Sequence, residues 1–200
     1  MKKKIKKERG NLFVRNYKKC WRFLQESSDY HIISLGVFCS FIIIGFAFPI
    51  FFQEKIFEFM RELLLQVQGL SVSEMISFIF FNNLGASFFA VVLGVVLGVF
   101  PIGAAIVNGY LLGFVSRFAV NESGSILILW RLLPHGIFEI PAIILSIGFG
   151  LKLGVELWKK DPWNVLKRNI VEAMRFFVFV IVPLLIIAAI VEGFLIFWSG

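Results

Sequence analysis

Cysteine, histidine and charge are all scarce in this 200-residue chain. Two cysteines are present, Cys20 in a basic stretch and Cys39 in an apolar one, and neither has a neighbour that would complete a metal or redox motif. A disulfide between them is not expected. Two histidines are too few for an H-E-x-x-H zinc motif, and no serine or cysteine nucleophile stands beside an evident base. Charged residues make up 16% of the chain and are missing altogether from 30–53 and 75–116. A soluble domain could not keep such runs from water. Lipid as the solvent for most of the chain explains them.

What is abundant points the same way. Hydrophobic residues account for 58%, with 25 phenylalanines, and the mean hydropathy is +0.86. A bilayer core of about 30 Å needs about 20 apolar residues per helix. Five stretches meet that requirement, at about 31–51, 77–100, 101–120, 126–150 and 176–198. The expected fold class is therefore all-α, a polytopic transmembrane helix bundle. The second and third spans are separated only by Phe100-Pro101-Ile102-Gly103, which predicts a tight helical hairpin.

The net charge of +7 is placed as a topology signal and not as a nucleic-acid surface, so no nucleic-acid partner is expected. Ten Lys/Arg lie in the first 22 residues, just before the first apolar run, and six more (Lys152, Lys159, Lys160, Lys167, Arg168 and Arg175) fall in 152–175. The segment 53–75 holds only Lys55 and Arg61 against Glu54, Glu58, Glu62 and Glu74. The positive-inside rule puts the N-terminus and 152–175 in the cytoplasm, and 53–75 and the C-terminus outside the cell membrane. That needs an odd number of spans. The long basic region before the first span, with no A-x-A-like site after it, reads as a retained anchor.

This divides the chain into a basic cytoplasmic amphipathic segment, 1–30, and a bundle, 31–200, carrying an outer amphipathic segment at 53–75 and an inner one at 155–175. Phe13, Tyr17, Trp21 and Leu24 share one helical face, as do Ile56, Met60, Leu63 and Val67. Asp161-Pro162 reads as N-cap and first turn of a third such helix, followed by Trp163, Leu166, Ile170, Met174 and Phe177. Helices of this kind lie along anionic lipid headgroups or pack on the bundle.

Two sets of residues stand out within the spans. Gly94/Gly98, Gly109/Gly113 and Gly150/Gly154 are each four apart, the spacing at which helix backbones approach closely. They leave open whether the contact lies within the chain or in a homo-oligomer. The fourth span carries Arg131, His135 and Glu139 as one stripe, with Pro134 and Pro141 beside it. A charge at mid-membrane costs about 2.5–3.5 kcal/mol, and each large apolar residue returns about 0.3–0.6. The span can insert, but the stripe needs partners. Asn82 and Asn83 in the second span, Asn108 in the third and Glu192 in the fifth complete an expected intramembrane polar core. Its bland role is an interhelical hydrogen-bond staple. Its sharper role is a path or site for a proton, metal or substrate.

The same residues carry a family resemblance. Asn82-Asn83, the stretch from Gly103 through Asn108-Gly109 to Gly113, Pro134-His135-Gly136-Ile-Phe-Glu139-Ile-Pro141-Ala142 with Gly150 and Gly154, and Ala188-Ala189-Ile-Val-Glu192-Gly-Phe194 together resemble the stage II sporulation protein M family over about 75–198. The resemblance implies a membrane platform that binds other membrane or envelope proteins, with Asn108, His135, Glu139 and Glu192 as signature residues. The first expectation is thus a non-enzymatic scaffold, without a cofactor. The alternative is a small transporter, channel or exporter subunit using the polar core. A third reading, an intramembrane hydrolase with Glu139 as base, lacks a recognisable nucleophile or third metal ligand.

Overall fold

The computed structural model describes residues 12–96, 98–128, 133–159 and 161–199, and for 12, 133–135, 197 and 199 the backbone only. Arg131 and the His135 side chain therefore lie outside the description. Eight α-helices follow one another: α1 (Leu12–Glu26), α2 (Ser28–Ala47), α3 (Gln53–Val67), α4 (Val72–Val92), α5 (Val99–Ser123), α6 (Leu133–Glu156), α7 (Pro162–Phe176) and α8 (Val182–Ser199). A 3-10 turn, Leu93–Val95, extends α4, and a π turn, Phe177–Ile181, joins α7 to α8. No strand occurs among the described residues. Among the described residues, five helical stretches are long and apolar enough to cross a membrane: Ser28–Ala47, Val72–Val95, Val99–Ser123, Gly136–Glu156 and Pro162–Ile196. The chain is an all-α polytopic bundle.

Several serine hydroxyls within the spans are satisfied locally, as an apolar solvent demands. The hydroxyls of Ser34, Ser40, Ser77 and Ser146 each donate to the carbonyl four residues earlier, at 2.7–2.8 Å. α4 opens on a capping box in which Ser71 and Glu74 serve each other's backbone N–H. α7 opens at Asp161 with Pro162 in its first turn.

α6 is the central element. It packs against α2, α4, α5, α7 and α8, and its last two turns hold the buried Ile147, Phe149, Leu151 and Leu153. The glycine pairs mark where backbones meet. A Cβ on Gly94 would collide with the Gly150 carbonyl, one on Gly150 with the Ala90 carbonyl, and one on Gly154 with the Gly98 amide. Gly94/Gly98 and Gly150/Gly154 thus interlock as one α4–α6 crossing. Gly109 and Gly113 admit the carbonyls of Phe38 and Ile42 on α2. In this structure these contacts are all within one chain.

The connection between the second and third spans differs from the sequence expectation. The 3-10 turn ends at Val95, Gly98 takes φ 71°, and Pro101 falls inside the first turn of α5. Proline is tolerated there because first-turn N–H groups have no helical partner. The two spans do not form a tight hairpin: α5 packs chiefly on α2, and α4 chiefly on α8 and α6.

At one end of the bundle α1 lies beside α7 and the π turn. Cys20 and Phe23 of α1 are buried with Phe149, Ala173, Phe176 and Phe177, while Phe13, Tyr17 and Trp21 remain exposed. Pro183 has no N–H to offer the carbonyl four residues back, that of Phe179. The Tyr17 hydroxyl donates to that carbonyl at 3.2 Å. At the other end α3 buries no residue and touches α5 through Phe57, whose ring meets Phe114 and Phe118 edge-on.

Candidate functional site

Two polar places occur inside the bundle. The first lies between α2, α5 and α6, where a cavity of about 220 Å³ is lined by Asn108, Gly136, Glu139 and apolar side chains including Phe38 and Ile143. Asn108 is four residues from Ala104, whose carbonyl accepts from its Nδ2 at 2.8 Å. This fixes the amide and leaves its oxygen available. Glu139 sits one turn beyond Gly136, and its Oε2 is buried in the bundle. The geometry thus brings together two of the residues singled out in the sequence, a neutral amide and a carboxyl, in a small apolar-walled space.

Asn82, Asn83 and Glu192 do not line this cavity, and Arg131 and the His135 side chain lie outside the described residues. Asn82 is exposed on α4 and Asn83 is half-buried. Glu192 lies on α8, beside Gly193, whose missing side chain makes room for Ile76 of α4, and its Oε2 is also buried. Among the described residues, no three of His, Cys, Asp and Glu converge on a point where a metal could be held.

The second polar place was not singled out in the sequence. Lys152, counted there as a loop charge, is 3% exposed within α6. Its Nζ lies 3.0 Å from Glu156 Oε1, one turn on, and donates to the Glu26 carbonyl at 2.9 Å. The same ammonium stands over the rings of Tyr30 and Phe23, at 5.2 and 5.6 Å from their centroids. Glu156, 6% exposed, also accepts from Lys159 at 3.0 Å and, through Oε2, from the buried amide of Asn169 on α7. The Tyr30 hydroxyl donates to it at 3.5 Å. One buried carboxylate therefore ties α2, α6 and α7 together, while Lys152 secures the end of α1. A buried charge is tolerated when its lone pairs are filled in this way.

The signal was in the sequence: Lys152 and Glu156 are four apart at the end of an apolar run. What could not be read was that α1 and α7 fold over them. Two further groups at this end lie outside the spans. The hydrogen bond to Glu156 holds the Lys159 ammonium above the usual lysine range, and burial pushes the Cys20 thiol up.

The profile described as Stage II sporulation protein M matches residues 34–195. A protein of Methanocaldococcus jannaschii, described only as uncharacterized, is 32% identical over 108 residues. The alignment takes in 51% of this chain and 48% of that protein, so the chain spans about half the length of this curated relative. No solved structure matches. The profile match runs from the first turns of α2 to the last turn of α8, through both polar places described above. On that breadth, the chain belongs to the stage II sporulation protein M family.

Proposed function

We propose that the protein is a non-enzymatic scaffold of the cell membrane, with its N-terminus cytoplasmic and its C-terminus outside, that recruits other membrane or envelope proteins. The observation that carries this reading is the platform made by α1 and α7. These helices are anchored to the spans by Lys152, Glu156 and Asn169, yet Trp158 in the turn before α7 and Trp163 and Val171 on α7 remain exposed, Trp158 at 78% and Trp163 at 71%. Rigid exposed aromatics beside basic side chains suit a docking face or a membrane-surface face. The orientation is supported by the basic α1 and α7 lying at one end, where the positive-inside rule would place both in the cytoplasm. Lys18, Lys19 and Arg22 would then face anionic headgroups. Crosslinking in intact cells followed by purification tests the reading. The native chain should return the same companion in repeated preparations, and Trp158→Ala with Trp163→Ala should lose it while still folding.

The Asn108–Glu139 cavity favours a second reading, a transporter or channel subunit with this pair on its path. Flux of protons or small ions in proteoliposomes separates the two. A scaffold leaves flux at background, whereas a path gives flux that falls with Glu139→Gln.

A further inference from the structure

At the end of the bundle opposite α1 and α7, α2, α3 and α5 border an open cavity of about 440 Å³, with Val107 and Phe52 of its wall largely exposed. Phe41, Ile44, Phe52, Ile56, Val107 and the ring of Tyr110 line it, and its wall is wholly apolar. The Tyr110 hydroxyl is engaged elsewhere: it donates to the carbonyls of Phe48 and Phe51, at 2.9 and 2.8 Å. Those carbonyls belong to the loop that leaves α2, where helical partners have run out. Tyr110 thus pins the loop and holds the cavity open. The loop ends at Phe52, which takes the left-handed φ of 57° that bulky residues seldom adopt. Phe52 also lines a second, open cavity of about 480 Å³ at the surface, formed with Ile50, Gln53, Glu54 and Lys55.

The two cavities therefore adjoin, one apolar and one polar, and the polar one offers a charge of each sign. α2 and α5 are spans, so the apolar cavity lies at hydrocarbon depth, and the first turn of the amphipathic α3 marks the edge of that layer. Water is a poor filler for an apolar space. The abundant apolar species at this depth is the acyl chain of a lipid. We propose that the two cavities form one site for a zwitterionic phospholipid. One acyl chain lies between α2, α3 and α5, the phosphate meets Lys55, and the headgroup ammonium meets Glu54. The assignment depends on the bundle lying in a membrane and not on the scaffold reading.

The test uses the full chain in nanodiscs carrying phosphatidylethanolamine or phosphatidylglycerol with a photoactivatable acyl chain, the labelled residues being mapped by mass spectrometry. Phosphatidylethanolamine should label the half-buried Phe41 and Ile44 several-fold more than the outward-facing Phe81 and Val99. Val107→Trp, which fills the cavity, should abolish that excess at Phe41 and Ile44, whereas Val99→Trp, a control for size alone, should not. Glu54→Lys should turn the preference toward phosphatidylglycerol. Even labelling of all these residues, labelling indifferent to Val107→Trp, no preference between the two lipids, or crosslinks from the cavity to a second copy of the chain would each overturn the proposal.

Discussion

Glu156 has four side chains directed at it, from Tyr30, Lys152, Lys159 and Asn169, and almost no exposure. Removing one member of a buried pair strands the other, at a cost of about 3–5 kcal/mol. Glu156→Leu, which leaves the buried Lys152 ammonium without its counter-charge, should therefore lower the melting temperature of the detergent-solubilised protein sharply. Lys152→Met with Glu156→Leu should recover part of the loss, because no buried charge is then left uncompensated, although the buried Asn169 amide still lacks its acceptor. Lys159 is 57% exposed, so its loss should cost little, at most about 1 kcal/mol. Its raised pKa means that its contribution is complete at neutral pH and disappears only as pH climbs through and beyond the ordinary lysine value of 10.5. For Cys20 burial decides the outcome. Its thiol is 2% exposed and its pKa is raised, so little thiolate forms at neutral pH. Maleimide labelling in the folded protein should be slow, and fast after denaturation. At this scale the sequence was only partly legible. The stripe containing Glu139 was visible from spacing, but its neighbour Asn108 is on another helix, and Lys152 has the composition of a loop residue.

Among the helices, the closest crossings are those where glycine meets backbone. Gly150 faces the Ala90 carbonyl and Gly94 faces Gly150, so Gly150→Ala must push α4 and α6 apart along their length. A loss of about 2 kcal/mol or more is expected, in the range of severe packing changes. Gly36→Ala is the matched control, because nothing lies within 4 Å of the added Cβ. It should be neutral or slightly stabilising through helix propensity. The Tyr17 hydroxyl serves a carbonyl that Pro183 cannot, so Tyr17→Phe should cost about 0.5–1.5 kcal/mol and loosen α1 before the spans melt. The existence and approximate limits of the helices were legible, since 3.6-residue periodicity and apolar length fix them locally. The partners were not. The Pro-Gly pair suggested a hairpin between the second and third spans, but proline sits comfortably in the first turn of α5, and glycine contacts draw α5 to α2 instead.

Seen whole, the bundle is asymmetric. One end carries α1 and α7, locked down by a buried carboxylate, and the other carries α3, which buries no side chain. The fold class and family could be read from composition, five apolar runs and a handful of motifs, because lipid leaves few alternatives to helices. Function was less legible, because the proposed scaffold role would be defined by what docks on the surface. The central claim is that the protein works through the α1–α7 face and not through the Asn108–Glu139 cavity. The most direct measurement compares companion recovery by Trp158→Ala with Trp163→Ala against Glu139→Gln, after crosslinking in intact cells and with equal amounts of folded protein. The account predicts that the surface variant loses its companion and Glu139→Gln keeps it. Retention by the surface variant together with loss in Glu139→Gln would contradict it.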